Sequence, residues 1–215
     1  MKRIQNKYDL VVVGGGHAGI EASLIAHKRG IKTILVSMDK NSVGRTSCNP
    51  AVGGLAKGQM VKEVDVLGGI MGFFADLSTL QSKTLNKSKG RSVWSPRSQI
   101  DKNLYEKIAQ EYIKEQNLDV FEGEVVSLDI KNSSVSGVFL KDGSKIVCSS
   151  VILTCGTFLN GLIHIGSKQI NAGRYGEKRA EGITENLNSL GLKSGRLKTG
   201  TPPRIKRSSV DWKMG

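Results

Sequence analysis

The sequence predicts an α/β fold in which a parallel sheet, built on a strand–helix–strand unit, is joined to a small antiparallel meander. Three observations carry this prediction. Tyr8-Asp9-Leu10-Val11-Val12-Val13 is a short β-branched run that stops at Gly14-Gly15-Gly16, as a buried strand bounded by a turn does. A small-residue helix face follows (Ala18, Ile20, Ala22, Leu24, Ile25, Ala26), closed by Lys28-Arg29-Gly30, and Thr33 to Val36 reads as a second strand. Further along, segments 135–140 and 144–148 are joined by Asp142-Gly143, a strong hairpin turn.

Between these landmarks the chain is less regular. Residues 42–58 read as loop. Met60, Val61, Val64 and Leu67 predict a helix ended by Gly68-Gly69. Ile100, Leu104, Ile108 and Tyr112 predict the longest helix, running to about Gln116. Strands are expected at 118–121 and 124–130 before the hairpin, and a separate apolar strand from Ser150 to Thr154 after it. Beyond Gly161 only a short helix near 180–190 stands out. No internal repeat is visible.

Composition narrows the function classes. The 215 residues carry 32 Lys and Arg against 19 Asp and Glu, a formal charge of +13 that points toward a polyanionic partner. Two stretches hold basic residues without any acid, 77–100 and 186–210, with Trp94 available for stacking in the first. Their bland alternative is a solvated basic face. No apolar run is long enough to span a bilayer, and the apolar run after Leu10 is too short for a signal-peptide core, so a cytoplasmic location without membrane contact is expected. Cys48, Cys148 and Cys155, with His17, His27 and His164, show no metal-ligand spacing, and no metal is expected.

The motif with the most chemistry is G-x-G-x-x-G, filled by Gly14, Gly16 and Gly19 between a strand and a helix. Gly14 permits the tight turn, Gly16 lets a pyrophosphate approach the backbone, and Gly19 lets helix and sheet pack closely, with the helix N-terminus facing the phosphate charge. The acid that usually grips a ribose at the end of the second strand is missing; Ser37 stands there, with Asp39 slightly late. The loop from Thr46 to Gly58 is the second candidate. Its glycines (Gly53, Gly54, Gly58) let amides crowd a ligand, Lys57 can meet an anion, and Arg45 near Cys48 favours a reactive thiolate. The bland reading of Cys48 is a small buried hydrophobe.

The meander, with a late strand ending Thr154-Cys155-Gly156, resembles the layout of flavoproteins with two dinucleotide-binding domains. Longer blocks resemble one family in particular. GGGHAGIEA at 14–22, SCNPAVGGLAKGQMVKEVDVLGG at 47–69, WSPRSQIDK at 94–102, GTFLNGLIHIG at 156–166 and GRLKTGTPPRI at 195–205 are similar to the GidA/MnmG family, the flavin subunit of bacterial tRNA wobble-uridine modification. The resemblance implies a Rossmann-like FAD-binding domain over 1–200, with 201–215 starting a nicotinamide-side domain that is incomplete here. It implies FAD, NADH and methylenetetrahydrofolate as cofactor and co-substrates, tRNA and the GTPase MnmE as partners, and a homodimer. The FAD pyrophosphate is then expected on Gly14, Gly15, Gly16, His17, Ala18 and Gly19. Val126 is expected at the adenine end, Thr154 and Gly156 against the flavin, and Asn49, Lys57, Arg97, Gln99 and Asp101 on the flavin or substrate side. Cys48 resembles a family cysteine implicated in activity. For Asp101 a helix N-terminus is the competing reading.

The family's chains are much longer, so the 215 residues alone are expected to be inactive. Two alternatives remain open: a folate- and FAD-dependent tRNA uridine methyltransferase, whose product would be 5-methyluridine only, and a non-catalytic RNA- or nucleotide-binding module, which would purify without a flavin spectrum.

Overall fold

The computed structural model describes residues 3–46, 49–198, 200 and 205–213. In chain order the elements are β1 (Arg3–Val13), α1 (His17–Lys28), β2 (Thr33–Ser37), β3 (Ala51–Gly53), α2 (Lys57–Val66), α3 (Met71–Ser78), β4 (Thr79–Leu85), β5 (Ser95–Ile100), α4 (Lys102–Glu115), β6 (Asp119–Glu122), β7 (Val125–Lys131), β8 (Ser134–Leu140), β9 (Lys145–Leu153), β10 (Leu162–Ile165), β11 (Lys168–Asn171) and α5 (Ile183–Ser189).

The main sheet has the order β6-β2-β1-β9-β8-β7. β1 pairs in parallel with β2 and with β9, and β2 in parallel with β6, while β7, β8 and the start of β9 form an antiparallel meander. Only Gly123 and Glu124 separate β6 from β7, although these strands stand at opposite ends of the order. The meander therefore folds back over the parallel strands. Side chains from it (Val125, Val138, Leu140, Ile146) share one core with Val11, Val13, Ile34 and Val36. The opposite core joins Leu10, Val12 and Leu35 to Ile20 and Leu24 of α1, Phe74 of α3 and Tyr105, Ala109 and Ile113 of α4. Leu10–Val13 of β1 and all of β2 are buried on both sides, which is why they read as unbroken apolar runs.

Three expectations change. The segments 144–148 and 150–154 are not two strands: β9 runs through Ser149 and Ser150, pairing with β1 along its length and with β8 only over Lys145–Val147. Two exposed serines break the apolar pattern but not the backbone ladder. The stripe of α4 is shifted by one residue, because Tyr105, Ala109 and Ile113 face the core while Leu104 is exposed and Ile100 ends β5. Residues 42–58 are not all loop: Ala51–Gly53 form β3, which joins β4 and β5 from the acid-free stretch in a second, three-stranded antiparallel sheet with order β3-β5-β4, and α2 begins at Lys57.

One side chain ties the helical layer together. Glu21 of α1 accepts hydrogen bonds from the backbone amides of Ile70 (2.9 Å) and Met71 (2.6 Å), capping α3 from outside its own chain segment. Negative charge at a helix start is favourable, and no residue of α3 itself provides it. Replacing Glu21 by Ala is expected to leave both amides without this acceptor and to lower stability by about 2 kcal/mol, read as a shift of the urea unfolding midpoint at unchanged slope.

Candidate cofactor-binding site

The carboxyl ends of β1 and β9 meet the start of α1, and the glycine motif sits at that junction. Gly14 has a φ of +113°, and a Cβ there would lie 2.4 Å from the Thr154 carbonyl oxygen. A Cβ on Gly19 would lie 1.8 Å from the Gly14 carbonyl oxygen and 2.8 Å from Thr154 Oγ1. The Thr154 hydroxyl faces the carbonyl oxygens of Val13 (2.8 Å) and Gly14 (3.0 Å). Thr154 therefore locks the turn from behind, and its hydroxyl is engaged there. Gly16 differs from the other two: it is exposed, and nothing lies within 4 Å of the position its Cβ would take.

Gly16 is also the N-cap of α1, with no side-chain cap and no acid in the first turn. The first intrahelical bond is that of the Ile20 amide, 3.0 Å from the Gly16 carbonyl, so the amides of His17, Ala18 and Gly19 precede the ladder. An uncapped helix start without competing carboxylates, behind a bare glycine, fits an anionic pyrophosphate. Ala18 is exposed beside it, and Gly15 packs toward Ser37 and Val43.

His17 opens the helix but turns inward. Its Nδ1 lies 3.1 Å from the buried Tyr105 hydroxyl, and the two rings stand edge to face. Burial holds the imidazole below its usual 6.5, and burial followed by the Glu21 charge raises the Tyr105 phenol.

At the end of β2, the Ser37 hydroxyl donates to the Asp39 carbonyl (2.9 Å), while the Asp39 carboxylate accepts from the Asn41 amide. The acid that the sequence lacks on β2 stands on the neighbouring strand. Glu122 is in register with Ser37, is exposed, and accepts from the Lys40 amide at 3.2 Å. Sequence reading missed it because only the order β6-β2 brings it to that place. Val126 sits at an irregularity of β7, its carbonyl oxygen 2.9 Å from where a Gly182 Cβ would lie. Gly156 has a φ of +63° and open space around it.

The second loop is built differently from the expectation. Gly53 and Gly58 are bare because Pro96 of β5 presses on them: a Cβ would lie 2.3 Å and 2.8 Å, respectively, from the Pro96 carbonyl oxygen, which also accepts from the Gly54 amide. These glycines serve sheet packing. Asn49 and Lys57 are exposed, Lys57 as the first residue of α2. Arg97 and Gln99 lie two apart on β5 and share a face, opposite Gly53 and Ala51 of β3. Asp101 does not join them, because its carboxylate caps α4 through the amides of Asn103 and Leu104 (2.9 and 3.1 Å). Cys48 lies outside the described residues. Burial pushes the Cys148 thiol up to about 11 and raises that of Cys155, so neither is a thiolate at neutral pH. Among the described residues no group of three His, Cys, Asp or Glu side chains could hold a metal.

The family model described as glucose inhibited division protein A matches residues 9–214. The chain belongs to this GidA family. Curated relatives in it are named tRNA uridine 5-carboxymethylaminomethyl modification enzyme MnmG. That of Cytophaga hutchinsonii is 48% identical over 212 residues, covering 97% of this chain and 34% of the relative. That of Karelsulcia muelleri is 49% identical over 207 residues, covering 96% and 34%. The crystal structure of Aquifex aeolicus GidA superposes with a TM-score of 0.92 at 43% identity, over 98% of this chain and 35% of that one. A GidA-related protein from Thermus thermophilus, at 16% identity and a TM-score of 0.59, shares the fold. The chain thus spans about a third of the length of the curated relatives it matches. Its fold is the FAD-binding Rossmann type seen in GidA structures, with the glycine cradle at the expected strand end.

The two kinds of glycine separate fold from binding. Gly19→Ala is expected to cost about 3 kcal/mol or to prevent folding, through overlap with the Gly14 carbonyl. Gly16→Ala is expected to keep stability within about 0.5 kcal/mol while lowering flavin affinity at least tenfold, as measured by thermal melts beside flavin fluorescence titration. His17 gives a pH prediction. Its folded value is depressed, so the unfolded chain binds a proton near pH 6.5 that the folded chain refuses. Stability therefore falls as pH drops through that region and levels off only below the folded value. His17→Gln should flatten this decline in unfolding midpoints measured from about pH 7.5 to 5.5.

Proposed function

We propose that this chain is the flavin-binding part of an enzyme that installs an aminomethyl or carboxymethylaminomethyl group on C5 of the tRNA wobble uridine. The whole reaction would use methylenetetrahydrofolate as the one-carbon source and NADH as the electron donor. It would run with the GTPase MnmE, on a homodimer in the cytoplasm. The observation that carries the reading is the open, uncapped glycine cradle at Gly14–Gly19, on a chain nearly half identical to proteins named for this modification.

Bound flavin supplies a two-electron redox centre. The chain's residues do the rest of the binding work. The amides at Gly16, His17 and Ala18 hold the pyrophosphate, and the exposed Glu122 carboxylate beside Ser37 accepts from the ribose hydroxyls. Val126 lies toward the adenine end. Gly156 leaves room for the ring system, while Thr154 acts indirectly, by holding the turn against β9. Asn49, Lys57, Arg97 and Gln99 form the polar side from which an anionic substrate would be met, and Cys48 is assigned to the chemistry by family resemblance. Asp101 is a capping residue rather than a substrate ligand.

The purified chain is expected to carry flavin absorbance, and Glu122→Gln to weaken FAD about tenfold with unchanged unfolding midpoint. A colourless protein that does not take up added FAD overturns the cofactor assignment. For the reaction, mass analysis of wobble nucleosides made by the full-length protein with MnmE should show the aminomethyl-type product; 5-methyluridine alone overturns it.

A further inference from the structure

A basic, acid-free surface outside the cofactor cradle is formed by the β4–β5 hairpin. Its strands are joined by two tight turns, Lys87–Lys89 and Arg91–Val93, shaped by Asn86 and Gly90 at positive φ. From 77 to 100 the chain has Lys83, Lys87, Lys89, Arg91 and Arg97 and not one Asp or Glu. Among the described residues none of these five cations makes an ion pair. The nearest following acid, Asp101, is occupied by the α4 amides.

The sheet register aggravates the repulsion. Lys83 and Arg97 are direct cross-strand partners and so stand side by side on one face, an arrangement that destabilises a strand pair. On the third strand the partner of Arg97 is Gly53, which offers no side chain to shield it. On the same hairpin, Trp94 is about 39% exposed, and its ring is pinned from two directions. Its indole N–H donates to the Lys87 carbonyl (3.2 Å), and the Arg91 guanidinium carbon lies 5.8 Å from the ring centroid. A fixed, half-exposed aromatic plane with an unpaired guanidinium beside it, on a hairpin of unpaired cations, has the composition of a stacking platform for a polyanion with planar bases.

We propose that this hairpin is an RNA-docking surface: Lys83, Lys87, Lys89 and Arg91 contact phosphates, and Trp94 stacks on an unpaired base. The inference rests on the reading of the substrate as tRNA and names where the chain would grip it. An anionic membrane would also meet the lysines and an interfacial indole, so competition by vesicles is one arm of the test.

The test is binding of a fluorescein-labelled RNA stem-loop to the full chain by anisotropy across a salt series. Replacing Lys87, Lys89 and Arg91 together by Gln should weaken binding at least tenfold and make the slope of log K against log salt shallower by about two to three, whereas Lys107→Gln/Lys114→Gln on α4 should change neither. Trp94→Ala should weaken binding about fivefold or more and Trp94→Phe much less. If the triple variant misfolds by circular dichroism, the exposed single change Lys89→Gln should still reduce the slope by roughly one. Wild-type affinity and slope in these variants, no binding by the parent chain, or equal competition by phosphatidylserine vesicles would each overturn the proposal. Flavin absorbance of the same samples reports separately on the cofactor reading, so failure of one leaves the other legible.

Discussion

The close approach of Gly14, Gly19 and Thr154 is the constraint on which the rest of the molecule depends. Two strand ends and one helix start converge within hydrogen-bond distance, which no residue larger than glycine permits at positions 14 and 19. That convergence fixes where α1 begins, and hence where its free amides and partial positive charge are presented. His17 and Glu21 then carry the orientation outward, one to α4 and the other to the start of α3. A single helix thus presents its free amides at one end while tying α3 and α4 to the sheet along its length.

The electrostatics follow a consistent division. Acids are used internally, as caps and partners: Glu21 on α3, Asp101 on α4, Asp39 on its own turn, Asp129 with Lys145. The cations of 77–100 are left outside such pairings. The net charge of +13 is therefore not evenly smeared, because the fold retires many of its acids to structural duties.

Legibility in the sequence tracked how local each signal was. The strand–glycine–helix–strand unit and the Asp142-Gly143 turn were legible because each is decided by neighbours in the chain. Asp101 was legible as a cap by the same logic. What escaped was decided by pairing at a distance. β4 and β5 are polar strands (TLQSKTL, SPRSQI) without clean alternation, held by each other and by β3 rather than by a buried face. Gly53 and Gly58 looked like a ligand loop, since nothing local announces that Pro96 will press on them. Glu122 needed the sheet order before it could be seen beside Ser37.

β9 belongs both to the meander and to the parallel sheet, and its end supplies the threonine that closes the glycine turn. Val13 and Thr154 are 141 positions apart. During synthesis the amino-terminal motif therefore emerges long before the residue that completes it, and it must wait unlocked while the intervening layers are made. Contacts of such sequence separation form late and slowly. The turn is thereby completed near the end of this domain's assembly, so that a ligand held there would report that β9 has already joined β1.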